Sequence, residues 1–471
     1  MRSTFFGLEI GRKALQTQQR ALDVTGHNIA NANTPGFSRQ RAVMATTNPF
    51  AMPAFDRPTS AGQIGTGVMV QEIKRLRDDF VDIQVRQETT KTGEWEAKND
   101  SLKKLEVIFN EPSDSGLRTV LDEFWASWEE LSKKPELEAV RATVRQRGIA
   151  VAETFNHLDR QLTDLADDLD ASVKVKIDDI NNIASQVATL NGQIVGIEGQ
   201  GDHANDLRDK RDLLVDELSK IIQVNTQEDR YGSLTVTISG RALVTNGKSF
   251  AIFGDPVGVH SPYVDLKWAA DNTTVTVQSG TIKGMLDTRD VAIPDYRSQL
   301  DTMANSFMTA TNSIHNNANA YGLDNANLRD FFDPAGTDAG TIAVDGNILG
   351  DLDHIAAASV INSPGDGSNA LKIAQIKHQN LVGTATLDDY YRGMIAELGV
   401  QSQESDRLVG NQNLLLSQLE NKRQEVSGVS LDEEMTNMIK FQQAYNAAAR
   451  TVTAMDEMLD VIVNRLGLVG R

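Results

Sequence analysis

The 471-residue sequence contains no cysteine. That removes disulfide staples, thiolate zinc sites and cysteine nucleophiles together. It leaves the compartment open, because cytosolic and exported proteins can both lack Cys. Histidine is scarce, with seven in all, and none is followed by Glu, so an H-E-x-x-H zinc centre is excluded. There is no G-x-S-x-G elbow and no Walker loop. No segment approaches the roughly 18 apolar residues of a membrane span. The opening stretch MRSTFFGLEIGRKAL is broken by Gly7, Glu9, Gly11 and Arg12, which reads against a secretory signal. Basic residues are in deficit, 46 against 65 acidic, for a formal charge of −19. That balance opposes nucleic-acid binding and adhesion to anionic membranes.

What is present is helix. Hydrophobic content is 40 %, enough for real cores, and the length suggests about three domains. Residues 3–33 read as one helix with Leu8, Leu15, Leu22 and Ile29 every seven positions and small Ala14, Ala21 and Ala30 beside them. Heptad spacing predicts lengthwise packing on another helix. The helix should stop at ANANTPG. Pro35 disfavours α geometry at Thr34, and Pro35-Gly36 suits the centre of a type II turn, with Phe37 as an apolar anchor after it. Residues 48–58 are Pro-rich and read as extended. Residues 65–73 read as a short strand before a helix opening near Arg75.

From Arg75 to about Asn225 the pattern is mostly helical. Val151, Phe155, Leu158, Leu162, Leu165 and Leu169 follow steps of 4 and 3, and neither Gly nor Pro occurs from Ile149 to Asn191. A helix over that stretch would be roughly 60 Å long. NEPSDSGL (110–117) reads as a turn, 191–206 as a break, and 206–222 as a returning amphipathic helix. Near Val224 the period changes to 2, and 226–285 reads as an antiparallel β unit. Residues 295–319 read as helix, 331–351 as turn-rich and β-like, 368–378 as a short helix. Residues 386–426 form another long helix with Leu408, Leu415, Leu419 and Val426 on one stripe.

The last segment supplies a partner for the first. Leu431, Met438, Tyr445, Val452, Leu459 and Leu466 recur every seven residues, and Met435, Ala449 and Val463 add a second seam position. Ser430 and Glu433 match a capping box, and Gly467 marks a stop. The chain ends therefore pair, and the architecture is nested. The fold class is mainly α with an inserted β domain. The expected units are a terminal coiled-coil domain (1–40 plus 429–471), a long-helix bundle (41–225 plus 366–428, with 294–319 packing on it) and an outer β-rich domain (226–293 plus 320–365). A two-helix pair buries one thin seam, whereas backbone ordering costs about 1–2 kcal/mol per residue, so the ends should gain stability from neighbouring subunits. A coiled-coil dimer is the simpler alternative.

The motif NIANANTPGFSRQ near the start, with SLDEEMTNMIKFQQAYNAAARTVTAMDEML at the end, resembles the bacterial flagellar axial protein family of rod, hook and hook-associated proteins. The continuation GFSRQ, with FNEPSDSGLRTVLDEFWASWEELSKKP, ANDLRDKRDLLVDEL and LDTRDVAIPDYRSQLD, is similar to its hook-associated members. The resemblance implies a structural, non-enzymatic subunit at the hook–filament junction, secreted to the extracellular flagellum by the flagellar type III apparatus without a cleaved signal. It implies an inner tube built from the terminal helices. The N-terminal interface would then be Leu8, Leu15, Leu22 and Ile29. The motif and turn residues would be Asn28, Asn31, Asn33, Pro35, Gly36, Phe37, Arg39 and Gln40. The C-terminal interface, also the chaperone-binding helix, would be Leu431, Met435, Met438, Tyr445, Ala449, Val452, Leu459 and Val463. Implied partners are copies of itself, the hook protein, hook-associated protein 3 on the filament side and an export chaperone. No nucleic acid, membrane insertion or cofactor is expected. A distal rod or hook subunit is the alternative inside the family, and a secreted enzyme on an axial scaffold the alternative outside it.

Candidate chemistry elsewhere has a plainer reading. Ser101 and Lys104 match S-x-x-K but sit in a charged helical run. His27 lacks spaced His or Cys companions and reads as a polar helix-end residue. Asp206, Asp209 and Asp212 share a helical face that reads as solvated and ion-paired rather than as a calcium site. Phe441 reads as a packing residue, with Gln442, Gln443 and Asn446 bonding between subunits. Arg39 and Arg41 are expected to meet a neighbour's acidic surface.

Overall fold

A computed structural model describes residues 5–50, 64–109 and 116–465. Residues 51–58 of the Pro-rich stretch, most of the 110–117 turn, Leu466 and Gly467 lie outside the described residues. Helix α1 (Phe6–Ala30) is followed by a two-stranded antiparallel ribbon, β1 (Gln40–Thr46) and β2 (Val68–Arg75), with a bulge at Val43/Met44. Strand β1 escaped the sequence reading because its burial does not alternate. Three helices follow, α2 (Asp79–Phe109), α3 (Leu117–Lys133) and α4 (Glu138–Glu198), and then α5 (Asn205–Ile221).

Helix α4 has 61 residues, about 90 Å at 1.5 Å per residue. It is longer than the sequence suggests at both ends. Gly148 lies within it because a Cβ there would come 2.7 Å from the Phe331 ring, so close packing favours glycine. Gly192 and Gly196, expected to break it, have open space around them. Each costs about 1 kcal/mol in helix propensity. Tertiary bonds offset that cost: buried Asn191, just before them, donates to Leu234 O at 2.7 Å and accepts from Leu234 N and Arg211.

The β unit comprises β3 (Asn225–Glu228), β4 (Leu234–Ile238), β5 (Arg241–Thr245) and β6 (Lys248–Ser249) in one antiparallel sheet, with β7 (Ile252–Asp255) and β8 (Asp265–Trp268) as a separate hairpin. Leu234, Val236 and Ile238 point inward and Thr235 and Thr237 outward, as alternation requires. Ser239-Gly240 and Asn246-Gly247 both hold positive φ, the geometry of two-residue hairpin turns. The unit stops before residue 285. Helix α6 (Thr281–Asp287) runs through a π turn at Thr288–Ala292 into α7 (Ile293–His315), so the helix read at 295–319 starts and ends earlier.

Two apolar cores result among the described residues. The first joins α3, α7, the first half of α4 and the start of α10 (Leu387–Ser427) around Phe124, whose ring meets Trp125, Trp128, Phe307, Phe331 and Phe332. The second joins the later half of α4 and α5 to the β sheets. Residues 331–351, read as β-like, form bridges and turns with one short helix, α8 (Gly346–Gly350). Their apolar side chains Phe331, Phe332, Ile342 and Val344 enter the helical core, not the β unit, because they lie over Gly148 and α7. Helix α9 (Ser368–Ala374) packs there too. The chain closes with α10 and α11 (Leu431–Asp460).

Candidate assembly interface

Helices α1 and α11 pair antiparallel. A Cβ on Gly7 would come 2.7 Å from Met455 Cε, one on Gly11 2.6 Å from Val452 Cγ2, and Asn28 at the far end bonds Glu434. The line of approach on α1 is therefore Gly7, Ala14, Ala21 and Asn28, with Gly11 beside it. Small residues let the backbones come close. The leucine series Leu8, Leu15, Leu22 and Ile29 lies one position, about 100°, further round, and all four are half-buried. On α11 the facing positions are Glu434, Ala448 and Met455, one heptad position, plus Val452 from the expected seam. Met435, Ala449 and Val463 are offset in the same sense. The pairing is as expected; the line of closest approach runs one residue from the leucine series on α1 and from the Met435 series on α11, while Val452 of the expected seam touches Gly11.

That offset leaves apolar surface uncovered. Leu431, Met435, Met438 and Val463 are exposed, Met435 at 57 % and Val463 at 73 %. Tyr445, Ala449, Val452 and Leu459 are half-buried, as is Phe441. Glu434 is the one fully buried side chain of α11 among the described residues. The opposite flank of α1 is covered by the ribbon: Thr17 Oγ1 donates to Val68 O at 3.0 Å and Lys13 Nζ to Thr66 O at 3.3 Å.

The motif after α1 is a clasp. Phe37 N donates to Thr34 O at 3.2 Å across Pro35-Gly36, with Gly36 at φ 77°, as a type II turn requires at its third residue. Phe37 packs edge-on against His27. Asn31 donates to His27 O and accepts from Thr34, while Asn33 is exposed. Asn28 accepts from Gln40 N and donates to Gln40 O and to Glu434. Arg39 pairs with Glu433 and Glu434 of its own chain at 2.6 and 2.8 Å, so it is not left for a neighbour as the sequence suggested; Arg41 is exposed. The capping box does not form, because Ser430 makes no side-chain cap bond and Glu433 is drawn to Arg39.

Behind the clasp sits an ionic cluster that the sequence reading missed. Arg75 bonds Asp209 and Asp212 at 2.7 and 2.9 Å, Arg77 bonds Asp82 at 2.8 Å, and Arg86 and Arg423 both reach Asp216. Asp209 and Asp212 are ion-paired, as their spacing on α5 suggested, but buried rather than solvated. Burial alone would raise the Asp212 pKa, but the guanidiniums of Arg77, Arg75 and Arg86 outweigh it and hold the carboxyl low. The acids of α5 carried half the signal. The matching arginines lie on β2, α2, α10 and, for Arg77, the link between β2 and α2, too distant in sequence to be recognised.

The other singled-out groups have local partners. Ser101 Oγ donates to Ala97 O and Lys104 pairs with Asp100. His27 faces Asp206 at 3.3 Å. Among the described residues, no three His, Cys, Asp or Glu are placed to hold a metal, and no helix is long and apolar enough to cross a membrane.

Comparison with known proteins finds flagellar relatives along the whole chain. The family model "Flagellar hook-associated protein FlgK helical domain" matches residues 102–332. "Flagella basal body rod protein" matches 8–37 and "Flagellar basal body rod FlgEFG protein C-terminal" matches 420–466. Flagellar hook-associated protein 1 of Bacillus subtilis is 37 % identical over 100 % of both chains. That of Escherichia coli is 25 % identical over 96 % of this chain and 98 % of its own. The fold is similar to the flagellar hook junction protein FlgK from Burkholderia pseudomallei, with TM-score 0.62 at 15 % identity, covering 73 % of this chain and 100 % of that one.

Proposed function

The chain belongs to the flagellar hook-associated protein 1 family, and from that premise we propose that its paired terminal helices build it into the hook–filament junction. It is a structural subunit of that junction. The observation that carries the proposal is the displaced seam. In an antiparallel pair, an offset of the same sense on both helices brings the two displaced lines to one face of the pair. The half-buried leucines of α1 and the exposed Leu431, Met435 and Met438 of α11 thus form a single apolar stripe with no partner among the described residues. Head-to-tail packing of such stripes builds a tube that does not close within a dimer. Copies of this chain, the hook protein and hook-associated protein 3 are the proposed occupants. Before assembly the stripe on α11 is open to the export chaperone, and export through the flagellum brings the subunit to the extracellular hook tip.

Because Met435 and Met438 are exposed in the single chain, charge placed there spares its fold. The double variant Met435→Asp/Met438→Asp should keep wild-type helix content by circular dichroism. It should be absent from purified hook–filament junctions and pull down less chaperone. Incorporation at the wild-type level would overturn the proposal.

A further inference from the structure

Arg141, Arg211 and Arg289 are all fully buried. Arg211 is neutralised by Glu228 at 2.7 Å, and Arg289 by Asp170 and Asp290 at 2.6 and 2.7 Å. Arg141 has no carboxylate within ion-pair distance among the described residues. Its Nε donates to Pro135 O at 2.7 Å, and its Nη1 donates to Leu352 O at 3.1 Å and Ile355 O at 2.8 Å. Those bonds use every proton on Nε and Nη1. Nη2, with two protons, has no acceptor among the described residues.

Arg141 also lines a cavity of about 170 Å³ bounded by Tyr321, Asn325, Asn362 and Ser363, and Nη2 is the nitrogen left to face it. The rim is held in place: Tyr321 bridges Ala358, and Asn362 N donates to Asn325 Oδ1 at 2.8 Å. The Tyr321 hydroxyl and the Asn362 amide group make no hydrogen bond among the described residues, so the rim offers two further donors. Asp353 and Asp324 are within electrostatic reach of Arg141. Asp324 is already engaged by Arg329 at 2.6 Å, and neither touches the guanidinium. A buried cation compensated only at a distance favours an incoming anion. The same two acids repel a doubly charged phosphate more than a singly charged carboxylate.

We propose that this cavity is a carboxylate-binding site, in which the anion accepts from Arg141 Nη2, the Tyr321 hydroxyl and the Asn362 amide. The carboxylate comes either from a free organic acid or from an Asp or Glu side chain of a neighbouring subunit. The test is thermal unfolding of the soluble full chain in sodium acetate against sodium chloride at matched ionic strength, pH 7. Acetate should raise Tm by about 1–2 °C with a dose dependence set by its occupancy of the site. Asn362→Asp places a carboxylate at the rim, in a left-handed conformation that Asp tolerates, and should abolish the acetate response. Arg141→Gln should do the same where it folds; where it does not, Asn362→Asp decides. Identical curves in acetate and chloride, or a full acetate response in Asn362→Asp, would overturn the site. The source follows from assembly: depletion of Asn362→Asp from junctions assigns a neighbour's side chain, and wild-type incorporation assigns a free acid.

Discussion

Asn28 and Glu434 stand 406 positions apart in the chain and share a 3.0 Å hydrogen bond in a buried site. Glu434 also accepts from Arg39. One carboxylate thus ties the signature motif after α1 to the start of α11. Glu434→Ala leaves a cation and an amide facing each other, and should cost about 2–3 kcal/mol. The loss should be local. Hydrogen exchange of α1 and α11 amides should accelerate by about 100-fold, since each 1.4 kcal/mol is a factor of 10, while α3 exchanges as before. Uniform acceleration through the chain would count against a clasp.

Gly7 and Gly11, the glycines of α1 that face α11, differ in what they meet. A Cβ at Gly7 meets the far end of Met455, a flexible side chain, whereas one at Gly11 meets the branched Val452. Gly7→Ala should be nearly neutral. Gly11→Ala should destabilise the pair by about 1–3 kcal/mol, and Val452→Ala should restore it. Chemical denaturation of the single and double variants measures the coupling, and additive effects would contradict the close approach.

Gly36 holds φ 77°, and a Cβ there would lie 3.1 Å from Leu213. Gly36→Ala should cost about 1–2 kcal/mol through the left-handed conformation, and more if Leu213 cannot yield. Pro35→Ala keeps the turn geometry accessible and should cost less. Motility on soft agar should follow the same order, and the reverse order would refute the turn's role.

His315 is fully buried, bonding Arg329 O through Nδ1 at 2.7 Å and Ala356 N through Nε2 at 2.9 Å. Burial pulls its pKa down to about 4, against about 6.5 in an unfolded chain. Between those values the unfolded state binds the extra proton, so stability is full above pH 6.5 and falls as pH drops toward 4. Urea unfolding should show a loss of about 2 kcal/mol from pH 7.5 to 5, and His315→Gln should remove that component of the slope.

Much of this was legible in the sequence, for a physical reason. The helices of the first core announce themselves because Val151, Phe155, Leu158, Leu162, Leu165 and Leu169 all point one way, and each is buried. The pairing of chain ends was readable from two heptad series. Which residues touch was not. Hydrophobic periodicity marks where leucines lie, whereas contact between close helices falls on the small residues beside them, Gly7 and Gly11. Long-range ion pairs were invisible for a different reason. Asp209 and Asp212 look solvated on α5 until Arg75, Arg77 and Arg86 arrive from elements more than a hundred residues away.

Helix α4 enters the first core from Val144 to Leu169 and the second from Val173 to Ala188 without interruption. Between them, Asp170 anchors both Arg289 and Val264 N to its shaft. The two cores are therefore joined by continuous helix and by the Asp170 bonds across their junction. A load applied to one core reaches the other along unbroken hydrogen-bonded helix, with no loop inside α4 to act as a hinge.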